Sequence, residues 1–352
     1  MISSSVDTFW AENAAALIAT RRDLHAHPEL CFDEKRTSEV AAKRLENLGL
    51  AVHRGLGKTG LVGVIQKGRS ARAIGLRADM DALPIQELNT FAHASVHTGC
   101  MHACGHDGHT ATLLAAAQYL AQQADFDGTV YLIFQPAEEG GGGAKAMMDD
   151  GLFERFPMDA VYALHNWPGS PTGSVAASAG PVMGSSNEFK ITLAGKGCHA
   201  AMPHLGHDPV VAAAALIQSL QTIVSRSLKP IDDSVISVTI LRAGEASNVI
   251  PNTCTLEGTV RTFTTEVLDT IEQRMAQMSA AIAAAYGCSA DFRFDRNYPP
   301  TINHAAPAHI VRQVAAQVLG AQQVLDQEPT MGAEDFAYML QAKPGCYFFL
   351  GN

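Results

Sequence analysis

The sequence predicts an α/β protein in which a sheet with flanking helices is interrupted by a smaller inserted α+β unit. Three observations lead there. Helical and strand patterns alternate through the first half of the chain, as they do in a sheet with helical crossovers. The run "GTVYLIFQP" is continuously apolar, the pattern of a strand buried in a parallel sheet. From about Asn187 the rhythm changes to the order β-α-β-β-α-β, that of a ferredoxin-like unit.

In chain order, "VDTFWAENAAALIATRRDLHAHP" and "EKRTSEVAAKRLENLGL" read as helices, and "TGLVGVIQ" and "RAIGLRAD" as strands. A helix follows His106 in "TATLLAAAQYLAQQ", then come "GTVYLIFQP" and the similar strand "DAVYALHN". The inserted unit opens on the strand "EFKITLAGKG" and the helix "DPVVAAAALIQSLQTIVSR". The strands "SVISVTILRAG" and "TCTLEGTVRTF", the helix "TEVLDTIEQRMAQMSAAIAAAYG" and the strand "SADFRFDR" complete it. "NYPPTINH" marks the return. Residues 1–186 and 297–352 are thus expected to form one discontinuous domain, and residues 187–296 the insertion.

At 352 residues the chain exceeds a single typical core, which favours two domains. With 47% hydrophobic and 17% charged residues it is globular. A net charge of −10 without any Lys/Arg run argues against nucleic acid or an anionic membrane as partner. The start "MISSSVDTFW" has neither a basic n-region nor an apolar h-region, so no signal peptide is expected. Apolar stretches such as "VVAAAALIQSL" read as too short and too Ala-rich to span a bilayer. Seven scattered cysteines, an odd number, suit reduced thiols in a cytoplasm better than a disulfide framework.

The densest chemistry lies in "MHACGHDGHT", residues 101–110. Residues at i and i+2 do not share a helix face, so Cys104 and His106 converge only from an extended or turning segment. The stretch reads as a strand-to-helix turn, with Asp107 in the first helical turn, where a carboxylate is favoured. Such turns hold ligands and catalytic groups in α/β sheets, although a satisfied histidine cluster beside an inert thiol fits the spacing as well.

A second stretch, "FQPAEEGG", ends the strongest strand with the adjacent carboxylates Glu138 and Glu139. Like charges side by side repel, and a cation is the natural compensation. A third strand end, "ALHNWP", brings His165 to the same rim. Cys104, His106, one glutamate and His165 make a mixed S/N/O donor set for a divalent transition metal. The other glutamate is then free to take a proton from a water that the metal acidifies. The segment "GLGKTG" only imitates a phosphate loop: the required first glycine falls at Val52, and a plain turn between strands is expected instead.

These stretches carry a resemblance. "RRDLHAHPEL", "LRADMDALPI", "MHACGHDGH", "FQPAEEG", "ALHNWPG", "GKGCHAAMPHLGHDP", "SNVIPN", "GTVRTF" and "GAEDFAYML" together resemble the M20 metallopeptidase family. Within it they are similar to the amidohydrolase branch of hippurate hydrolases, N-acyl-amino-acid amidohydrolases and plant auxin-conjugate hydrolases. The resemblance runs in the family's order from about Arg21 to the last residue. It implies a metallo-hydrolase sheet with a lid inserted for dimerisation, and metal ligands at Cys104, His106, Glu139 and His165. Glu138 matches the general base, and Asp81 of "ADMDALP" an aspartate that supports a metal-binding side chain. His102 and His109 match no ligand and read as a loop residue and a residue at the helix start.

From the inserted lid, the resemblance implies that His199 of "GCHAAMPH" reaches a partner's active site to polarise the scissile carbonyl. Asn248 and Arg261 match lid residues that hold the polar end of the substrate, and a guanidinium fork suits a carboxylate. Two divalent ions per subunit (Mn, Zn, Co or Ni) are implied, with a homodimer or a higher oligomer. The family pattern continues past "FFLGN" to a further histidine ligand, for which His304 is a poor substitute by position. The expected function is metal-dependent hydrolysis of N-acyl amino acids of the hippurate or N-acetyl type. A dipeptidase, a deacetylase of an acylated diamino acid and a catalytically silent ligand-binding dimer are the alternatives.

Overall fold

A computed structural model describes residues 2–352. The chain divides into two compact units. One comprises Met1–Val182, Ile302–Glu328 and Asp335–Asn352; the other comprises Met183–Thr301 and Pro329–Glu334.

The first unit is built on helices α1 (Ile2–Ala26) and α2 (Lys35–Asn47), strands β1 (Ala51–Leu56), β2 (Gly60–Lys67) and β3 (Ala73–Asp79), and helix α3 (His106–Gln122). Strands β4 (Gly128–Gln135), β5 (Ala160–Trp167) and β6 (Val175–Ala176) follow. After the second unit come helix α4 (Ala305–Leu319) and strands β7 (Val324–Leu325) and β8 (Gly345–Gly351). The sheet order is β1-β2-β4-β3-β5-β8-β6-β7.

The apolar run of β4 pointed to a parallel sheet, and the sheet is instead mixed. Strand β4 pairs parallel with β3, and β5 parallel with both β3 and β8. On its other side β4 pairs antiparallel with β2, which is itself antiparallel to β1. A short turn at Gly57–Thr59 links β1 to β2, too tight for anything but a hairpin, and this is what "GLGKTG" encodes. Both kinds of pairing bury β4, so its composition does not record the direction of its neighbours.

One face of this sheet is covered by α2 and α3. Leu45 of α2, Leu113 and Leu114 of α3, and Leu61, Leu132 and Phe134 of the sheet are buried in one cluster. Each such side chain contributes about 1.5–3 kcal/mol by leaving water. The parallel strands β3, β4 and β5 end at Asp79, Gln135 and Trp167, so the residues just beyond them share one rim.

A second correction concerns residues 101–110. No strand delivers them: an irregular segment separates β3 from α3, with isolated bridges pairing Ala82 with Leu30 and Leu83 with Met101. Loop backbone therefore carries Cys104 to the rim.

The second unit is a four-stranded antiparallel sheet with two helices. Its strands are Ser186–Ala194, Ser234–Ala243, Thr253–Thr262 and Ser289–Tyr298. Thr253–Thr262 lies between Ser234–Ala243 and Ser186–Ala194, and Ser289–Tyr298 is the other edge. With the helices Pro209–Thr222 and Thr265–Ala285 this is the ferredoxin-like order. Phe189, Ile191, Leu193, Leu216, Leu256, Ile271 and Met275 form its core. The helix starts follow from sequence: Asp208 accepts the Val210 N–H at 2.8 Å, and Thr264 accepts that of Val267 at 3.3 Å. The first helix continues through a π-helical turn, so the whole helical segment Pro209–Ser227 is 19 residues long and meets the length and composition of a bilayer span, as a core helix also can. Ala212, Ala213, Leu216 and Leu220 bury its inner face in the core of the unit.

Candidate metal centre

Gly105 answers how Cys104 and His106 converge. It has φ +94°, in the left-handed region, and stands at the N-cap of α3. Cys104 therefore lies outside the helix while His106 is its first residue, and the turn between them aims both inward. A Cβ at Gly105 would sit 2.3 Å from Oδ1 of Asn166, so a larger residue is also excluded by contact.

Ligand atoms of Cys104, His106 and His165 lie within 4.8 Å of one another, as do those of His106, Glu138 and Glu139. The Cys104 thiol faces Nε2 of His165 at 3.3 Å. On the other side of that ring Nδ1 donates to the Asn166 carbonyl at 2.6 Å, which leaves the Nε2 lone pair facing the cluster. Burial, with His109 adding to it, lowers the His165 pKa to about 4, so the ring is neutral. Burial likewise raises the pKa of the Cys104 thiol.

His106 is completely buried, and neither ring nitrogen has a partner at hydrogen-bonding geometry. Its Nδ1 is 3.4 Å from Asp81 and its Nε2 is 3.8 Å from Asp79 and 4.0 Å from Glu139. Burial disfavours its charged form, but the carboxylates of Asp79 and Asp81 outweigh that and raise its pKa well above the usual histidine value. Oε1 of Glu139 is also buried without a partner, and burial raises the pKa of this carboxyl. A buried polar atom left unpaired costs about 1–3 kcal/mol, so these atoms are poised for something else. Sulfur, imidazole and carboxylate donors fit a divalent transition metal.

Asp81 anchors the turn that carries the glutamates. Its Oδ1 accepts the Glu138 N–H at 3.0 Å and its Oδ2 the Glu139 N–H at 2.9 Å. Asp79, at the end of β3, accepts from His109 Nδ1 at 2.7 Å and from Arg77 at 2.6 Å. Asp79 was not among the residues expected from sequence, although it sits only two positions before Asp81. The histidines that matched no ligand are nevertheless buried: His109 packs at the cluster edge against Asn166, and both ring nitrogens of His102 lack a partner.

The three remaining expected residues lie in the second unit. His199 is exposed on a short strand pairing with Val249, beside which Asn248 accepts the Ala200 N–H at 2.9 Å. The Ala201 N–H donates to His199 Nδ1 at 3.1 Å, so the neutral ring carries its proton on Nε2. Arg261 is half-buried on Thr253–Thr262, opposite Val235. His304 stands before α4 in the first unit and accepts the Gly345 N–H at 3.2 Å, a structural contact.

With this geometry the comparisons with known proteins agree. The family model described as peptidase family M20/M25/M40 matches residues 75–352. The chain belongs to this family. As an M20 protein it is a metal-dependent hydrolase acting on amides. It is 42% identical to the N-acetyl-L-cysteine deacetylase of Bacillus subtilis, over 96% of this chain and 80% of the relative. It is 41% identical to the hippurate hydrolase of Campylobacter jejuni, over 94% of this chain and 87% of that protein. Among solved structures, a Bacillus subtilis protein described as a dinuclear metal-binding M20 peptidase superposes with a TM-score of 0.84. That pair is 36% identical, covering 96% of this chain and 88% of the other.

Proposed function

We propose that this M20 enzyme hydrolyses the amide bond of N-acyl amino acids, releasing a carboxylic acid and the free amino acid. The observation that carries this reading is the convergence of Cys104, His106 and His165 with the paired Glu138 and Glu139. The named activities of the relatives, on N-acetylcysteine and on hippurate, support the substrate class. Cys104, His106, Glu139 and His165 would hold two divalent ions of the Mn, Zn, Co or Ni kind. Bound there, such ions would supply Lewis-acid polarisation of the amide carbonyl and of a water. Glu138 would accept a proton from the attacking water on its carboxylate and return it to the departing nitrogen. Asp81 fixes the backbone of both glutamates and faces Nδ1 of His106, which steadies that ring.

In the same proposal the second unit is a lid through which two subunits pair. His199 of the partner subunit donates from Nε2 to the carbonyl oxygen as negative charge develops there. Asn248 and Arg261 hold the substrate carboxylate. The seven unpaired thiols support a reducing, cytoplasmic setting.

The test is a panel of hippurate, N-acetyl amino acids and dipeptides, offered to protein loaded in turn with Mn²⁺, Zn²⁺, Co²⁺ or Ni²⁺. Release of free amino acid from acylated substrates is expected. Preference for dipeptides would move the chain to a different branch, and no release with any metal would leave a silent binding protein.

A further inference from the structure

Among the described residues, three non-glycine residues have a left-handed backbone: Phe32 (φ +61°), Lys58 (φ +71°) and Ala137 (φ +53°). Each costs roughly 1–2 kcal/mol relative to an ordinary conformation. One buried carboxylate touches all three segments. Oε1 of Glu34 accepts the N–H of Phe32 at 2.9 Å and of Ala137 at 2.9 Å, and Oε2 accepts the hydroxyl of Thr59, the residue after Lys58. Glu34 stands at the N-cap of α2, yet its side chain makes no bond to that helix.

Ala137 immediately precedes the two glutamates, so three successive N–H groups, of residues 137, 138 and 139, are each held by a buried carboxylate. Two of these bonds belong to Asp81, and the first belongs to Glu34. From this we infer that Glu34 is a positioning residue for amide hydrolysis: it locks Ala137 left-handed, and that backbone setting aims Glu138 and Glu139 at the cluster. The inference rests on the proposed roles of those glutamates. Without Glu34, Ala137 relaxes toward ordinary backbone angles and swings the next two residues away. A misplacement on the order of 1 Å costs about 10²-fold in rate.

The experiment compares Glu34→Gln, Glu34→Ala and the double variant Glu34→Ala/Ala137→Gly in the full-length, Mn²⁺-saturated protein. It reads hippurate hydrolysis and amide hydrogen exchange of the peptide spanning 135–142. Glutamine keeps an oxygen where Oε1 is and can donate to Thr59, so Glu34→Gln should retain kcat within about threefold. Glu34→Ala should lose about 10²-fold in kcat with little change in KM, and its 137–139 amides should exchange faster. Glycine adopts the left-handed backbone freely, so Ala137→Gly in the Glu34→Ala background should recover roughly tenfold in kcat. A residue that merely fastens the 30–34 loop gains nothing from that second change. Unchanged exchange in Glu34→Ala, or a double variant no faster than the single one, overturns the inference. Full activity in Glu138→Gln would instead defeat the reading of the site. Exchange is read without turnover, so it decides on the clamp even if hippurate is not hydrolysed.

Discussion

At the scale of single residues, the cluster is a balance between buried charges that repel and backbone donors that tame them. Asp81 shows how the balance is struck. Both of its oxygens accept backbone N–H groups, and the Cys31 thiol adds a third donor at 3.3 Å. Burial pushes its pKa up, but His106 and the two backbone N–H groups of Glu139 and Glu138 outweigh that and hold it below the usual carboxylate range. In Asp81→Asn one oxygen becomes an NH₂ group facing a backbone N–H. The expected cost is about 1–3 kcal/mol of stability, read by urea unfolding, with a loss of turnover that saturating metal does not restore. Turnover restored to wild type by metal alone would contradict this. The residues found from sequence are those whose chemistry is unusual for their setting: a thiol just before a helix, an acidic pair just past a strand and a histidine near a strand end. Those missed, Asp79, His109 and Glu34, act through hydrogen bonds between distant segments. Glu34 meets Ala137 across 103 positions, and no local pattern announces such a contact.

At the scale of elements, the placement of α3 decides whether the cluster forms. Gly105→Ala would force a β-carbon into the left-handed turn and against Asn166. It should cost about 2 kcal/mol or more in stability and lower metal content, measured on the purified variant. A variant as stable and as metal-rich as wild type would show that the turn is not required. The start of α3 is also tied to α1: His25 Nδ1 lies 3.0 Å from Asp107, and its Nε2 lies 3.1 Å from Glu87. The hydrogen bond with Asp107 raises the His25 pKa; burial opposes it and Glu87 assists. A folded pKa above the unfolded value of about 6.5 means that the native chain holds a proton the unfolded chain has lost. Stability from this contact is complete below about pH 6.5 and disappears as pH rises through the folded value. The stability advantage of wild type over His25→Gln should therefore shrink from pH 6 to pH 9 in urea unfolding. An advantage that grows with pH would refute the assignment. Element types were legible because β4 and the helices of the second unit are long and periodic. Strand direction was not, since burial on both faces looks the same whichever way a neighbour runs.

At the scale of the whole molecule, the proposed residues fall in two compact units, with the metal cluster in one and His199, Asn248 and Arg261 in the other. The proposal that His199 acts across a dimer is tested by complementation. Homodimers of His199→Ala and of Glu138→Gln should each be nearly inactive. Random re-pairing makes about half of the dimers mixed, each with one site intact, so about a quarter of wild-type activity should return. Mixtures that stay inactive while subunit exchange is demonstrated would mean that His199 acts within its own subunit or only structurally.

The central claim is that adjacent glutamates divide the work, Glu139 holding metal and Glu138 moving the proton. The most direct measurement is the metal content of purified Glu138→Gln, Glu139→Gln and Cys104→Ala beside their turnover. Glu138→Gln should keep nearly the wild-type metal content and lose turnover, whereas Glu139→Gln and Cys104→Ala should lose metal itself. Equal metal loss in all three, or turnover surviving in Glu138→Gln, would contradict the account.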